Sequence, residues 1–469
     1  MPPDTAATPL CSCGSSPAFS LRRRCRSPVR RRWSPACRGS MALCPSTWRP
    51  GTWAWATRRG APSYSTTSWS RSGAPARTPC SCGTRAGPGA RPSAPSPSRL
   101  APSSLSRDGT TARCRSWSRN PYSLTQVASI IFVDSPVGTG FSYARDPKGY
   151  NVGDISASLQ VLTFLRKWFD DHPRYLSNPF YLGGDSYAGK MTPLIAQHVS
   201  EGIEEMQYPL INLKGYLVGN PLTGDKIDDN SRIPYCHSFG IISDQIYEAA
   251  LINCRGDYVN PTNKLCANVG QTINDLMSEV DNEGILDPVC PSASPKPRRD
   301  ALRRKSLAEE HYELSDGPPY GCIKYRYHPS YIWANDNATR AALGIKEGTV
   351  KEWIRCKPKG ELPYTFDLPS SIGYHFKLTT RGYRALVYSG DHDLTVPFSG
   401  THAWIRSFNF SIAEDWRAWH LDGQAAGFTI TYANNLTFAT IKGGRHIVSD
   451  NRPKECFAAA KRWLTNEPL

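Results

Sequence analysis

The stretch Phe180-Tyr-Leu-Gly-Gly-Asp-Ser-Tyr-Ala-Gly189 decides how the rest of the chain is interpreted. A short apolar run ends in two glycines, and then an acid, a serine and an aromatic residue precede a second pair of small residues. This pattern predicts a strand that turns sharply into a helix, because glycine tolerates the strained and closely packed backbone of such a turn. The turn would raise the hydroxyl of Ser186 above the edge of a sheet, as a nucleophile elbow does.

Strand and helix patterns alternate on both sides of this stretch. Residues 127–134 form a nearly continuous β-branched and aromatic run, which is typical of a central parallel strand buried on both faces. Asp154 is predicted to cap a helix that Pro173 stops. Further strands are predicted at 210–219, 383–390 and 436–442. The succession predicts an α/β protein with the α/β-hydrolase fold, in which a mostly parallel central sheet carries helices on both faces.

The predicted hydrolase domain covers residues 120–469 and contains an insertion. From about 225 to 342 the pattern changes to short helical stretches and loops, which we interpret as a cap over the sheet. Within the cap, the segment 291–320 begins with a proline-rich and basic sequence, so it is predicted to be an exposed linker.

The first 119 residues differ in composition from the rest. Residues 1–120 contain 20 arginines and two aspartates but no lysine or glutamate, whereas the remainder has 36 basic and 38 acidic residues. Clustered arginines could bind nucleic acid or a membrane surface. The segment is also rich in serine and proline and has no helical or strand period, which favours an aberrant, disordered segment over a folded domain. We therefore expect no nucleic-acid or membrane partner, and neither a secretory signal nor a transmembrane run is recognisable.

Two of the predicted strands end at residues that could activate a serine. The first runs into Gly390-Asp-His-Asp393 and the second into Gly443-Gly-Arg-His446. The resulting chain order of Ser186, Asp393 and His446 is that of α/β-hydrolases and differs from the orders in chymotrypsin and subtilisin. Each residue follows a predicted strand, where open α/β sheets place their sites.

Elementary chemistry assigns a role to each group. A serine hydroxyl becomes nucleophilic when an imidazole accepts its proton, and a carboxylate must hold that imidazole in one tautomer. His446 would be the base and then the acid, and Asp393 would orient it. Asp391 is the alternative acid, although its place at the start of the turn suits loop hydrogen bonding. The backbone N–H of Tyr187 would be one oxyanion donor.

Cysteines and glycosylation sequons indicate the compartment. The seven cysteines after residue 120 are widely spaced and include no C-x-x-C pair, so neither a metal site nor a cofactor is predicted. Acceptor sequons at Asn337, Asn409 and Asn435 favour a secretory compartment with disulfides.

Five motifs together resemble the plant serine carboxypeptidase-like proteins. They lie at residues 134–143, 184–189, 219–221, 388–393 and 443–446. The resemblance covers essentially all of residues 120–469. It implies that Ser186, Asp393 and His446 form a catalytic triad, that Cys254–Cys266 and Cys290–Cys322 are disulfides, that the linker resembles one excised in some members, and that the protein is secreted or vacuolar.

The residue before the nucleophile divides this family. Carboxypeptidases usually have glutamate there, which shares a proton with another acid and grips the terminal carboxylate of the peptide. Acyltransferases that use sugar-ester donors usually have aspartate, and this chain has Asp185. The resemblance therefore implies acyl transfer from a glucose ester to an acceptor hydroxyl in plant secondary metabolism, with small-molecule partners. A carboxypeptidase that acts on peptide C-termini is the alternative, and the oligomeric state stays open.

The N-terminal segment departs from the family pattern. Family members have early strands and an Asn/Thr-Gly-Gly-Pro-Gly-Cys-Ser loop that completes the oxyanion hole, and neither is expected here. Codons compatible with the segment at 85–91, read one base out of frame, can spell Gly-Gly-Pro-Gly-Cys-Ser. We hypothesise that residues 1–119 are a frame-shifted translation, which would leave a catalytically impaired product or an inactive binding protein.

Overall fold

A computed structural model describes residues 66–69, 80–84, 103–107, 115–290, 323, 327–357 and 360–469. For residues 66–69, 80–84, 103–107 and 115–119, it describes only the backbone. All of these residues belong to one compact unit, Ser46–Leu469. The linker at 291–320 lies outside the described residues.

Thirteen strands are present in the described ranges. Their bounds are β1 Thr66–Trp69, β2 Cys80–Thr84, β3 Ser103–Arg107, β4 Arg115–Arg119, β5 Ser129–Val133, β6 Val152–Gly153, β7 Phe180–Asp185, β8 Leu213–Gly219, β9 Tyr364–Thr365, β10 Arg384–Gly390, β11 Ile412–Leu421, β12 Gln424–Tyr432 and β13 Leu436–Ile441. Nine of them form the central sheet in the order β1-β5-β2-β7-β8-β10-β13-β12-β11. The six strands from β5 to β13 in that order are parallel, and the pairings at both edges are antiparallel.

Helices surround this sheet. Their bounds are α1 Asp154–Asp171, α2 Ala188–Glu204, α3 Lys226–Asn230, α4 Arg232–Ser238, α5 Asp244–Cys254, α6 Lys264–Ser278, α7 His328–Asn335, α8 Asn337–Ala342, α9 Ile372–Thr380, α10 Phe398–Arg406, α11 Val448–Asn451 and α12 Pro453–Leu464. Short 3-10 turns occupy Leu124–Gln126, Pro147–Tyr150 and Pro173–Tyr175. Helices α3 to α8 occupy the stretch predicted to be a cap.

The sheet is buried on both faces, as the strand β10 shows. Ala385 and Val387 belong to a core cluster that includes residues of α1, α2 and α10. Leu386 and Tyr388 belong to a second cluster that includes residues of α11 and α12. Because successive side chains of a strand point to opposite faces, a strand between two layers must be apolar at nearly every position. The predicted α/β-hydrolase architecture is confirmed by the parallel sheet with helices on both faces.

The N-terminal part differs from the sequence prediction. We expected the early strands of the family to be absent, but β2 lies in the central sheet between β5 and β7 and is parallel to both. Strand β1 pairs with the outer side of β5, and β3 pairs with β4. Pairing in a sheet uses backbone N–H and C=O groups, which a polar sequence supplies as well as an apolar one. Composition was therefore a poor guide to these strands.

The start of α1 also differs from the prediction. Gly153 occupies the cap position, and Asp154 is the first helical residue. The cap is completed by Ser156, whose hydroxyl accepts from the N–H of Gly153 at 2.8 Å, and by Asp367, whose carboxylate accepts from the N–H of Ile155 at 3.0 Å. The carboxylate of Asp154 is therefore not used to cap the helix.

Asp154 is the centre of a buried polar network beneath the elbow. Its carboxylate is fully buried and pairs with the ammonium of Lys190 at 3.2 Å. It also accepts hydrogen bonds from the hydroxyls of Tyr187 and Tyr364 and from the N–H of Leu368. A buried carboxylate is tolerated only when it is paired and hydrogen-bonded, so this network joins α1, α2 and the loop after β9.

Replacing Lys190 with methionine should destabilise the fold strongly. Asp154 would lose its counter-ion in a buried position, which typically costs about 3–5 kcal/mol of unfolding free energy. Urea unfolding followed by tryptophan fluorescence measures this change. The matched control is Lys454→Met, which removes an exposed pair with Asp422 and should leave the unfolding free energy nearly unchanged. Equal, small effects of both substitutions would contradict this account.

Candidate active site

The turn between β7 and α2 has the geometry predicted for a nucleophile elbow. Ser186 has a backbone φ of +62°, in the left-handed region that a non-glycine residue rarely adopts. Its N–H donates to the carbonyl of Gly219 at 2.9 Å, and its carbonyl accepts from the N–H of Leu222 at 3.0 Å. A Cβ on Gly189 would lie 2.4 Å from Pro221, so only glycine fits there. These contacts hold the strained turn against the end of β8.

Three buried side chains form a chain of hydrogen bonds at this elbow. Nε2 of His446 lies 2.8 Å from the hydroxyl oxygen of Ser186, and Nδ1 of His446 lies 2.7 Å from Oδ2 of Asp393. All three residues are almost inaccessible to solvent. The structure therefore brings together the serine, imidazole and carboxylate that the sequence pattern selected.

Asn220 supports the acid, a contact that sequence reasoning did not assign. Its side-chain amide donates to Oδ2 of Asp393 at 2.7 Å and accepts from the N–H of Gly390 at 3.1 Å. It is fully buried, and its φ is +41°, a region that asparagine tolerates better than most residues. The N–H of Thr395 donates to the other oxygen of Asp393 at 2.8 Å. Asp393 is thus held by two donors besides His446.

The alternative acid, Asp391, serves the loop instead. Its Oδ1 accepts from the N–H of Gly443 at 2.6 Å and lies 3.1 Å from Nδ1 of His392. It therefore connects the loop after β10 to the loop that carries His446. Burial raises the pKa of Asp391 above its ordinary value, while His392 and the Gly443 hydrogen bond act in the opposite direction.

The surroundings of His446 favour its charged form. Burial alone would lower the pKa of the imidazole. The charge and hydrogen bond of Asp393, together with the charges of Glu283 and Asp185, outweigh burial and raise the pKa above the usual value of 6.5. An imidazolium is therefore stabilised at the position where proton transfer from Ser186 would create one.

Asp185 is a second titrating group beside the serine. Its Oδ1 accepts a hydrogen bond from the hydroxyl of Tyr388 at 2.7 Å. Burial raises the pKa of Asp185 to about 6, the Tyr388 hydrogen bond and the charge of His446 limit the rise, and the charge of Asp450 adds to it. Asp185 consequently changes its charge in the mildly acidic range.

The backbone N–H of Tyr187 is the predicted oxyanion donor. This N–H donates to no backbone carbonyl in the described part of the chain, and Tyr187 lies directly before α2, whose N-terminus favours negative charge. The side-chain hydroxyl is anchored to Asp154. Thr84 at the end of β2 pairs with Gly184, so β2 ends beside the strand that leads into the elbow. Residues 85–102, where the family's oxyanion loop would stand, lie outside the described residues.

The remaining predicted sites lie apart from this centre. Cys254 and Cys266 form a disulfide with an S–S distance of 2.01 Å. Cys290 is also disulfide-bonded, whereas Cys322 lies outside the described residues. The three sequon asparagines, Asn337, Asn409 and Asn435, are all exposed. Within the described ranges, no group of three or more histidine, cysteine or acidic side chains could hold a metal ion.

Comparison with known proteins establishes the family. A sequence profile of the serine carboxypeptidases, peptidase family S10, matches residues 102–466. This chain belongs to the serine carboxypeptidase family. The match begins earlier than residue 120, where the sequence analysis placed the start of the domain, and it includes strands β3 and β4.

Individual members of the serine carboxypeptidase family agree with this assignment. Serine carboxypeptidase-like 19 of Arabidopsis thaliana is 43% identical over 359 residues, which cover 74% of this chain and 76% of the relative. Serine carboxypeptidase-like 17 of the same plant is 43% identical over 350 residues, 74% of each protein. The fold is similar to that of Kex1, a prohormone-processing carboxypeptidase from Saccharomyces cerevisiae, with a TM-score of 0.63 at 17% identity over 86% of this chain and 87% of the other.

In the ranges that the structure describes, no helix combines the length and the apolar character that a transmembrane span requires.

Removing the Asn220 side chain should impair the serine carboxypeptidase centre without unfolding it. In Asn220→Gly, glycine can adopt the positive φ of this position without strain. The carboxylate of Asp393 loses the hydrogen bond from the Asn220 amide, which is a hydrogen bond to a charged group. Such bonds contribute about 1.5–3 kcal/mol, so kcat/KM for a p-nitrophenyl ester should fall roughly 10- to 150-fold. Asn466→Gly is the matched control, because Asn466 also has a positive φ but is exposed near the C-terminus. Equal activity of both variants would exclude a role of Asn220 in orienting the acid.

Proposed function

We propose that this member of the serine carboxypeptidase family is an acyl-transfer enzyme that forms an acyl-enzyme on Ser186. The observation that carries the proposal is the continuous hydrogen-bonded chain from Ser186 through His446 to Asp393. A hydroxyl that donates to an oriented imidazole is the arrangement that makes serine nucleophilic.

The reaction proceeds in two halves on the same residues. The Ser186 oxygen attacks the ester carbonyl while its proton moves to Nε2 of His446, and the N–H of Tyr187 donates to the developing oxyanion. The leaving alcohol takes the proton from His446 as its bond to the acyl carbon breaks. An acceptor hydroxyl then gives its proton to His446 and attacks the acyl-enzyme, and the Ser186 oxygen leaves with that proton. Asp393 stays ionised and stabilises the imidazolium in both halves.

The charge near Ser186 favours an uncharged donor such as a glucose ester. Asp185 is bound by Tyr388, and the charge of Asp450 acts on it. Above pH 6 the ionised Asp185 would repel the terminal carboxylate of a peptide, whereas a neutral sugar ester meets no such repulsion. Acyl transfer from a neutral ester to a hydroxyl is therefore the finer function that we propose.

A serine-directed fluorophosphonate should label Ser186 and no other serine, as located by mass spectrometry. Ser186→Ala should abolish labelling. Asp393→Asn should slow it by up to about 10⁴-fold, the loss known for a triad histidine held in the wrong tautomer. Asp391→Asn is the matched control from the same loop and should keep most of the labelling rate. An unlabelled but folded wild-type protein would refute an acyl-enzyme on Ser186.

Carboxypeptidase activity is the second candidate, favoured by the pKa of Asp185. Below pH 6 the protonated Asp185 could donate a hydrogen bond to a substrate carboxylate. KM for a blocked dipeptide should therefore fall as pH drops through about 6, while KM for a glucose ester should stay flat. Asp185→Asn should remove this pH dependence because it cannot titrate. Efficient dipeptide hydrolysis at pH 7 without ester transfer would overturn our preference.

The proposal also includes the compartment in which the protein acts. We infer a secretory or vacuolar location, which the Cys254–Cys266 disulfide and the exposed sequons support.

If residues 85–102 do not supply a second oxyanion donor, the loss would be roughly 2.7–4 kcal/mol of transition-state stabilisation. The activity of the chain as written would then be weak.

A further inference from the structure

One segment of the cap lies between the two loops that carry the acid and the base. It spans residues 281–287, and we refer to it as the cap strut. Its Asn282 carbonyl accepts from the N–H groups of Leu394 and Thr395 at 3.0 and 2.9 Å. Its Glu283 carbonyl accepts from the N–H of His446 at 2.6 Å. The cap strut therefore bonds directly to the backbone on both sides of the Asp393–His446 pair.

Arg445, next to the base, holds this strut. Its side chain is only 2% exposed, and three carboxylates of the strut surround it. Nε lies 3.1 Å from Asp287, and Nη2 lies 3.4 Å from Glu283 and 3.9 Å from Asp281. Removing one partner from a buried ion pair leaves an uncompensated buried charge, which is strongly destabilising. The cap strut and the His446 loop are therefore held together by these ion pairs.

We propose that Arg445 is a positioning residue that fastens the cap strut to His446 and compensates the strut's negative charge beside the imidazole. This proposal rests on the proposed function, in which His446 is the base. It adds a connection between that base and the cap, because Arg445 lies in the loop after β13 and its three carboxylate partners lie in the cap strut.

The charges that face His446 come from three elements. Asp393 reaches it from the loop after β10, Asp185 from the elbow, and Glu283 from the cap strut. All three favour the imidazolium, and among them only Glu283 is paired with Arg445. Behind them, Asp450 of α11 accepts from the hydroxyl of Tyr327, and its charge also acts on Asp185. Loss of Arg445 would therefore leave the negative charge of the strut carboxylates uncompensated. That charge would stabilise the imidazolium of His446 and make it harder to deprotonate.

Charge variants on the two sides of this contact should move the titration of His446 in opposite directions. In Arg445→Met the midpoint should rise by about 0.5 pH unit or more, and in Glu283→Gln it should fall by a similar amount. Arg445→Lys should restore part of the wild-type midpoint because it keeps the charge. Arg417→Met removes an exposed pair with Glu414 and should leave the midpoint unchanged.

Two measurements separate this inference from the proposed function. NMR of ¹³C-labelled histidine gives the His446 midpoint directly, with His446→Gln to assign the signal, and it requires no activity. The acid limb of kcat/KM for a p-nitrophenyl ester should shift in parallel. Shifted NMR midpoints in a protein without esterase activity would refute the proposed function and support the charge role of Arg445. Unchanged midpoints in folded Arg445→Met, or in Glu283→Gln if the former does not fold, would overturn the inference.

Discussion

The hydrogen bond between His446 and Asp393 depends on the alignment of four adjacent parallel strands. Strands β7, β8, β10 and β13 are neighbours in the sheet, and they end at Ser186, Asn220, Asp393 and His446 or shortly before them. Residues separated by up to 260 positions thus come within 3 Å of one another. Parallel strands place their carboxyl ends at one edge, so strand order alone assembles the serine, the base, the acid and the amide that holds the acid.

This dependence explains which parts of the fold the sequence revealed. Strands buried on both faces must be apolar, and β5, β7, β8, β10 and β13 were predicted within a few residues of their bounds. The β11–β12 hairpin was missed because β11 is largely exposed. Its turn nevertheless carries a usable signal, since Asp422-Gly423 has positive φ at both residues, as two-residue hairpins require. Strands β1 and β2 were missed because backbone pairing leaves little trace in composition.

The same reasoning separates the site residues that could be predicted from those that could not. Serine, aspartate and histidine that each follow a predicted strand are recognisable from residue type and chain order. The choice between Asp391 and Asp393 depended on which carboxylate reaches Nδ1 of His446, a matter of loop geometry. Asn220 contacts a neighbouring strand and the acid, and Arg445 contacts the cap, so no local pattern marks them. Their roles emerge only from tertiary packing.

The electrostatics of the site impose a constraint on its chemistry. Asp393, Glu283 and Asp185 all stabilise a positive charge on His446, which aids proton transfer from Ser186 but raises the pH at which the base becomes available. In the proposed function, the negative charge of Asp185 also disfavours an anionic substrate close to the serine. A neutral ester would avoid this repulsion, and in our proposal Arg445 compensates the charge of the cap carboxylates with which it pairs. The proposed substrate preference and the availability of the base are therefore linked through one charge distribution, in which Arg445 is a buried cation next to His446 in the chain.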